Sequence, residues 1–345
     1  MILTKNKTYF KGEEIMGIQQ NENREKREVI SYLDEVSAYD NIKNTKFESI
    51  VSISAKKNEY IDGFEKEWTN LRKKYNVGEG VCLHFNQIKT LLKEPDKVDE
   101  NIRTIFQDHN GDIDYELIHK FYIDVSELIS KGNFILQATG IFTVGKDKSL
   151  PKYIGTNSLM YRLFREHLDR MAFYLINLTR EDVEHRKKLI KGKKNNPEIR
   201  WYKSKIRYDG DEKLNFHDDL IDVFSQCRVT GTTHFKENTI KKIFGNLKFI
   251  SKSEVAVNNI ISHAGSEIVD FIALYVARDM FKDMYKEIMI NDKCDSEEKV
   301  DDLIKNLNTI SVPGFDPIYP IDYIYPKLYF TEGIGKYKII KDYPY

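Results

Sequence analysis

The sequence predicts a mixed α/β domain in which helices pack against a central sheet. Apolar, β-prone runs dominate the early part of the chain, and helical and strand patterns alternate after it. That order of elements is typical of helices layered on a mixed sheet. With 345 residues, the chain is long enough for one large or two ordinary domains.

The strand predictions depend on short apolar or alternating runs that are rich in β-prone residues. The clearest of them is "GNFILQATGIFTV", which we interpret as a central strand. In chain order, strands are predicted at residues 28–35, 47–55, 80–85, 132–144, 199–209 and 247–252.

Helices are predicted where apolar residues recur at a spacing of three or four, or where helix start signals precede such a pattern. Residues 59–75 show this spacing at Ile61, Phe64, Trp68 and Leu71. The remaining predicted helices cover most of 86–131, with a break at "KEPDK", and the segments 157–178, 220–227 and 265–288.

Composition divides the chain into three parts. Residues 1–28 are polar and are interpreted as an N-terminal extension, and residues 29–290 hold the α/β domain. Residues 291–345 form a tail rich in Pro and Tyr, whose prolines exclude a regular helix and favour an extended path over the surface. Such a tail could engage a protein partner or a second copy of the chain.

Net charge, cysteine content and the lengths of the apolar runs exclude several classes of protein. Lys and Arg number 54 and Asp and Glu also number 54, so any attraction to nucleic acid must come from a local patch. Cys82, Cys227 and Cys294 are too few and too far apart for a disulfide framework or a cysteine zinc site. No signal peptide and no run of about 18 apolar residues is present, so we expect a cytoplasmic protein with no membrane partner.

Two adjacent acids, Asp34 and Glu35, end the first predicted strand, "EVISYLDE". Successive side chains of a strand point to opposite faces, so these two cannot serve one site from the interior of a strand. An ordinary transition from strand to turn is the alternative interpretation, because acids are common there.

A second acid pair lies in the predicted helix "GSEIVDFIALYVA". Asp270 is embedded in apolar residues, and a buried carboxylate requires a cation, a hydrogen-bond network or a proton. Glu267 lies three residues earlier on the same helical face. The alternative is that Glu267 interacts with the helix dipole and that Asp270 pairs with a distant Arg or Lys.

Together the two acidic sites can converge on divalent ions. Mg²⁺ and Mn²⁺ prefer carboxylate oxygens as ligands. Two such ions roughly 4 Å apart suit in-line displacement at phosphorus, which is the chemistry of a metal-dependent nuclease.

Three short motifs resemble a known family. "SYLDEVSAYDN" resembles the "YxDESG" strand of the domain of unknown function 3800 family, "GVCLHFNQIK" resembles its strand with a His before a helix, and "HAGSEIVDFIALYVAR" resembles its closing "LQxADLxA" helix. The resemblance implies an RNase H-like fold, with helical insertions, and a carboxylate metal centre. It assigns site roles to five residues of this chain, Asp34, Glu35, His84, Glu267 and Asp270.

The chain departs from that family pattern at two points, and the RNase H-like plan requires one more acid. The turn after the first strand lacks the family's glycine, and Glu267 stands where the family usually has Gln. The plan also requires a middle carboxylate from a later strand. Asp209 and Asp211 are the nearest candidates, although "YDGDE" is also typical of an ordinary turn.

A basic segment, "HRKKLIKGKKNN", could contact phosphates in an otherwise neutral protein. A solvated loop is the alternative. The cations that we expect to bind nucleic acid are Arg186, Lys187, Lys188, Lys191, Lys193 and Lys194.

The expected function is therefore a nuclease or phosphodiesterase that depends on Mg²⁺ or Mn²⁺, and the family resemblance implies a role in phage defence or as a toxin. The absence of nucleotide-binding glycine motifs and of a G-x-S-x-G elbow disfavours ATPases, dinucleotide oxidoreductases and serine hydrolases. The alternative is a non-catalytic binding or regulatory protein on the same fold, which engages nucleic acid or a protein partner.

Overall fold

A computed structural model describes most of the predicted α/β domain and two short segments of the tail. The described residues are 27–40, 45–132, 134–144, 159–189, 197–210, 217–250, 264–273, 276, 329–333 and 336–339. Among them, no helix combines the length and the apolar character that are needed to cross a membrane.

The strands form one mixed sheet. They are β1 (Glu28–Asp40), β2 (Thr45–Lys56), β3 (Ile135–Val144), β4 (Lys203–Asp209), β5 (Phe244–Ile250), β6 (Tyr329–Gly333) and β7 (Lys336–Ile339), in the spatial order β5-β4-β1-β2-β3-β6-β7. The pairs β1–β2 and β2–β3 are antiparallel, whereas β1–β4 and β4–β5 are parallel. Five strands therefore form a central mixed sheet, and the hairpin β6–β7 extends its β3 edge.

The helices fall into two groups along the chain. Between β2 and β3 lie α1 (Lys57–Glu59), a π-helical turn (Tyr60–Glu65), α2 (Lys66–Lys74), α3 (Phe85–Leu91), α4 (Glu100–Ile105) and α5 (Tyr115–Lys131). After β3 come α6 (Leu159–Leu189), α7 (His217–Thr230), α8 (Glu237–Ile243) and α9 (residues 264–273). Asp99 and Asp114 cap α4 and α5 by accepting hydrogen bonds from backbone amides of the first turn, a standard way to satisfy the free donors there.

Helices cover both faces of the sheet, so the expectation of a mixed α/β domain is confirmed. Strand alternation sends Tyr32 to one face and Leu33 to the other. Tyr32 lies in a core with Trp68, Phe121 and other residues of α2, α3, α5 and α9, and we call this side the front face. Leu33 lies in a second core with α6, α7 and α8, which we call the rear face.

Two predictions about elements are corrected. Residues 80–85 do not join the sheet, and the amides of Leu83 and Phe85 bond to carboxylates of α9 instead of to a neighbouring strand. The tail is not only an extended surface segment, because its residues 329–333 pair with β3 in parallel and continue into β7. Residues 1–26 of the predicted extension lie outside the described residues.

Candidate metal centre

The register of β4 against β1 brings two acids together. The last parallel pair between these strands is Leu33 with Tyr208, and both of these side chains are buried on the rear face. Asp34 and Asp209 come directly after that pair on neighbouring strands, which in a sheet lie roughly 4.8 Å apart. Alternation then directs both carboxylates to the front face, where each is half-buried.

Helix α9 supplies a third acid because it lies directly on β1. A Cβ atom at Gly265 would come within 2.1 Å of the Tyr32 ring, so only glycine allows this approach. The Gly265 amide also donates a hydrogen bond to the Tyr60 hydroxyl at 2.9 Å. Further along the same helix is Asp270, which is half-buried over the end of β4.

The three acids form a compact cluster, and we call these three side chains together the carboxylate group. One carboxylate oxygen each from Asp34, Asp209 and Asp270 lies within 4.8 Å of the others. Carboxylates this close repel one another unless a cation or a proton neutralises them. An all-oxygen set of this kind suits a hard cation such as Mg²⁺ or Mn²⁺ better than a soft one.

Backbone amides orient two of these carboxylates. Asp34 Oδ1 accepts a hydrogen bond from the Glu35 amide at 2.9 Å, and Asp270 Oδ2 accepts one from the Phe85 amide at 2.7 Å. A hydrogen bond to one oxygen restricts rotation of the carboxylate and leaves the other oxygen directed elsewhere. Such outer contacts are how proteins fix metal ligands.

Glu267 requires a correction, because the structure assigns it to the protein interior. Its Oε1 accepts from Arg72 Nη1 at 2.6 Å and from the Leu83 amide at 2.9 Å. Its Oε2 accepts from Trp68 Nε1 at 2.5 Å, and the side chain is 1% exposed. The geometry therefore does not support Glu267 as a metal ligand, since Arg72 already neutralises its charge.

Glu35 lies on the other side of β1 from Asp34, as strand alternation requires. Its neighbour there is Tyr208, whose phenol has a pKa raised by burial first and then by the charges of Glu35 and Asp34. Glu35 is thus separated from the carboxylate group by the sheet, and the geometry does not support the expected catalytic role.

His84 lies one residue from a contact of the carboxylate group. It precedes α3 in an extended conformation, and its neighbour Phe85 binds Asp270. The His84 side chain lines a cavity of about 240 Å³, together with Cys82, Gln87 and residues at the start of α4. The site role that the family resemblance implies for His84 stays a prediction.

The predicted basic segment lies at the wrong end of the sheet. Arg186 is engaged by Asp182, with Nη2 2.8 Å from Oδ2, and Asp182 also accepts from Arg27 at the start of β1. Asp34 comes seven residues after Arg27, about 23 Å along a strand. Lys187 pairs with Glu184 at 2.7 Å.

Of the other cations in that segment, Lys188 is exposed at the end of α6. Lys191, Lys193 and Lys194 lie outside the described residues. The described part of the segment therefore gives no support to a phosphate-binding surface near the carboxylate group.

Sequence reasoning missed Arg72, which is 5% exposed. A signal was present, because Arg72 follows the buried Trp68 by four residues and so lies on the same face of α2. A cation on the apolar face of a helix predicts a buried acid opposite it. In this chain that acid is Glu267.

Comparisons of the chain with protein-family models, curated proteins and solved structures find no match. Membership of the family with the "YxDESG" and "LQxADLxA" motifs therefore stays a prediction. The chemistry proposed below depends on the geometry of this chain, whereas the proposed cellular role depends on the motif resemblance.

Proposed function

We propose that this chain is a metal-dependent phosphodiesterase that acts on nucleic acid, with a cellular role in phage defence or as a toxin. The observation that carries the proposal is the grouping of Asp34, Asp209 and Asp270, whose ligand oxygens lie within 4.8 Å of one another. The three acids come from two strands and a helix that are distant in sequence. A group assembled in this way is harder to attribute to a local turn.

The strand arrangement supports an RNase H-like core. In that plan, a three-stranded antiparallel meander is continued, beside its first strand, by two strands parallel to it. Here β1, β2 and β3 form the meander, and β4 and β5 continue it in parallel from β1. The acids of β1 and β4 then meet at the centre of the sheet, as the proposed chemistry requires.

The residues present fit Mg²⁺ or Mn²⁺, which would be held by Asp34, Asp209 and Asp270. When bound, these ions supply an activated water and stabilise the leaving oxygen of a phosphodiester. The chain itself contributes orientation, because the amides of Glu35 and Phe85 fix two of the three carboxylates. His84, the residue before Phe85, is the proposed candidate for proton transfer, a role that requires its ring to come within hydrogen-bond reach of the substrate.

Asp34→Asn and Glu35→Gln form a matched pair for testing this proposal. The two residues are neighbours in sequence but lie on opposite faces of β1, so only Asp34 should affect the metal. We expect calorimetry to show Mn²⁺ binding by the wild type and by Glu35→Gln, and strongly weakened binding by Asp34→Asn. Hydrolysis of labelled single- and double-stranded DNA and RNA should follow the same order.

Two results would contradict the proposal. One is hydrolysis that persists unchanged in Asp34→Asn, and the other is metal binding that is lost equally in both variants. Metal binding without hydrolysis of any substrate would instead favour a non-catalytic binding protein.

A further inference from the structure

Strand β4 carries a row of cations that ends at the carboxylate group. Its buried residues Ser204, Ile206 and Tyr208 lie towards the rear face, so the intervening side chains lie on the front face. Those intervening residues are Lys203, Lys205, Arg207 and Asp209. Because a strand advances about 6.6 Å every two residues, Arg207 is the cation nearest to Asp209.

Arg207 is half-buried, and among the residues that the structure describes its hydrogen bonds go to neutral groups. Its Nη1 donates to the Ile206 carbonyl at 3.0 Å and to Asn246 Oδ1 at 3.4 Å. By contrast, Lys205 forms a salt bridge with Glu28 at 2.8 Å. Within the described ranges, Arg207 forms no salt bridge. Glu28 attracts the Arg207 guanidinium through space but forms its salt bridges with Lys205 and Lys57, so the guanidinium retains capacity to bind an anion.

A second cation lies beside Arg207 on the neighbouring strand. Lys248 of β5 pairs in register with Arg207, and its side chain is exposed. Among the parts of the chain that the structure describes, Lys248 also makes no salt bridge. We call Arg207 and Lys248 the basic patch.

We propose that the basic patch binds the phosphate backbone of a nucleic-acid strand and positions it beside the carboxylate group. This inference rests on the proposed function, since it names the substrate surface of that site. The planar guanidinium of Arg207 can engage two phosphate oxygens at once, and Lys248 adds a point charge at the open edge. A phosphate bound by Arg207 would lie roughly 6.6 Å along β4 from Asp209, which places the adjacent phosphodiester at the metal ligands.

The test compares two double neutralisations of equal charge. Arg207→Gln/Lys248→Gln removes the basic patch, whereas Lys187→Gln/Lys188→Gln removes two cations at the distant end of α6. Binding of fluorescein-labelled 20-nucleotide DNA and RNA strands is measured by anisotropy in Ca²⁺ over a range of salt concentrations. A mononucleotide competitor separates recognition of a strand from recognition of a single phosphate.

We expect the patch variant to bind the strands more weakly and to lose about 1.4 from the slope of log K against log salt, since each lost contact to a single strand contributes about 0.7. The control variant should retain the wild-type slope. Equal slopes in the wild type and the patch variant would overturn the inference, as would an equal loss in the control. Saturation of the site by the mononucleotide alone, at the strand's affinity, would also overturn it.

Folding and catalysis are separated from this result by three further variants. Lys248→Gln changes an exposed side chain only, so it tests the patch even where the double variant unfolds. Arg207→Lys retains a cation at this position, so it should bind the strands more tightly than Arg207→Gln does. Asp34→Asn should lose hydrolysis while it keeps strand binding. If Asp34→Asn stays active, the proposed function fails. If the patch variants bind like the wild type, the inference fails on its own.

Discussion

Replacing Arg72 with Met tests whether the interior of the protein supports the carboxylate group. The change leaves the carboxylate of Glu267 buried at 1% exposure without its cation. It also removes the donor to the Val81 carbonyl, which Arg72 Nη2 contacts at 2.6 Å. Removing one partner of a buried ion pair costs about 3–5 kcal/mol, which is a large part of the roughly 5–15 kcal/mol that stabilises a typical domain.

The same substitution should weaken metal binding. Arg72 bonds to Glu267 of α9 and to Val81 in the segment 80–85, and that segment's Phe85 amide bonds to Asp270. Loss of Arg72 should therefore loosen the contact that orients Asp270, a proposed metal ligand. Disturbing such outer contacts typically weakens metal affinity by roughly 10–100-fold.

The assays are urea unfolding at neutral pH, followed by circular dichroism, and Mn²⁺ titration of the folded protein by calorimetry. Lys131→Met is the control, because Lys131 forms a salt bridge with Glu127 at 3.3 Å between side chains that are 76% and 61% exposed. Exposed pairs at this spacing contribute about 0.5 kcal/mol or less. If Arg72→Met costs no more than Lys131→Met, or if its Mn²⁺ affinity equals that of the wild type, the reasoning is refuted.

Two further predictions follow from other contacts. Gly265→Ala should destabilise the fold by about 1–3 kcal/mol and weaken Mn²⁺ binding, since the new Cβ would meet the Tyr32 ring at 2.1 Å and push α9 away from β1. Adding Tyr32→Leu to this variant should restore part of the stability and part of the Mn²⁺ affinity. Unchanged Mn²⁺ affinity in Gly265→Ala would contradict this placement of α9. Burial lowers the pKa of His167 from 6.5 to about 3, so below pH 6.5 the unfolded chain binds a proton that the folded state does not. The free energy of unfolding should therefore fall by about 1.4 kcal/mol for each pH unit below 6.5. Urea unfolding at pH 7.5 and 5.5 measures this loss, and His167→Gln with an undiminished pH dependence would disprove its assignment to His167.

Local sequence patterns were sufficient for much of the sheet, but they also predicted one strand that lies outside it. The runs that became β1, β3 and β4 are apolar or alternating over their own length, so their pairing partners add little to the prediction. Residues 80–85 have the same local pattern and are extended at His84, yet they lie outside the sheet. Partly exposed and buried side chains alternate over residues 82–85 as in a strand, but the amides of Leu83 and Phe85 bond to carboxylates of α9.

The carboxylate group shows the same limit. Asp34 and Asp270 stand out locally because each interrupts or ends an apolar run. Asp209 could not be separated from a turn by pattern alone, since the deciding fact is the parallel register of Tyr208 with Leu33. Glu267 has the same local appearance as Asp270, and its different fate depends on Arg72, which lies far away in sequence.

The contrast between Glu267 and Asp270 suggests how the third ligand is held in place. The two acids lie three residues apart on α9, and two amides of the extended segment, at Leu83 and Phe85, meet them in the same order. The side-chain carboxylates of the helix therefore accept the amide hydrogen bonds that backbone carbonyls would accept in a sheet. Because Arg72 pairs with Glu267, the contact at Leu83 is a buried, ion-paired anchor, and it holds the segment so that the Phe85 amide meets Asp270. With Asp270 unchanged, Glu267→Gln alone should therefore disturb the arrangement. Glu267→Gln should preserve it only when Arg72 is also replaced by a neutral residue.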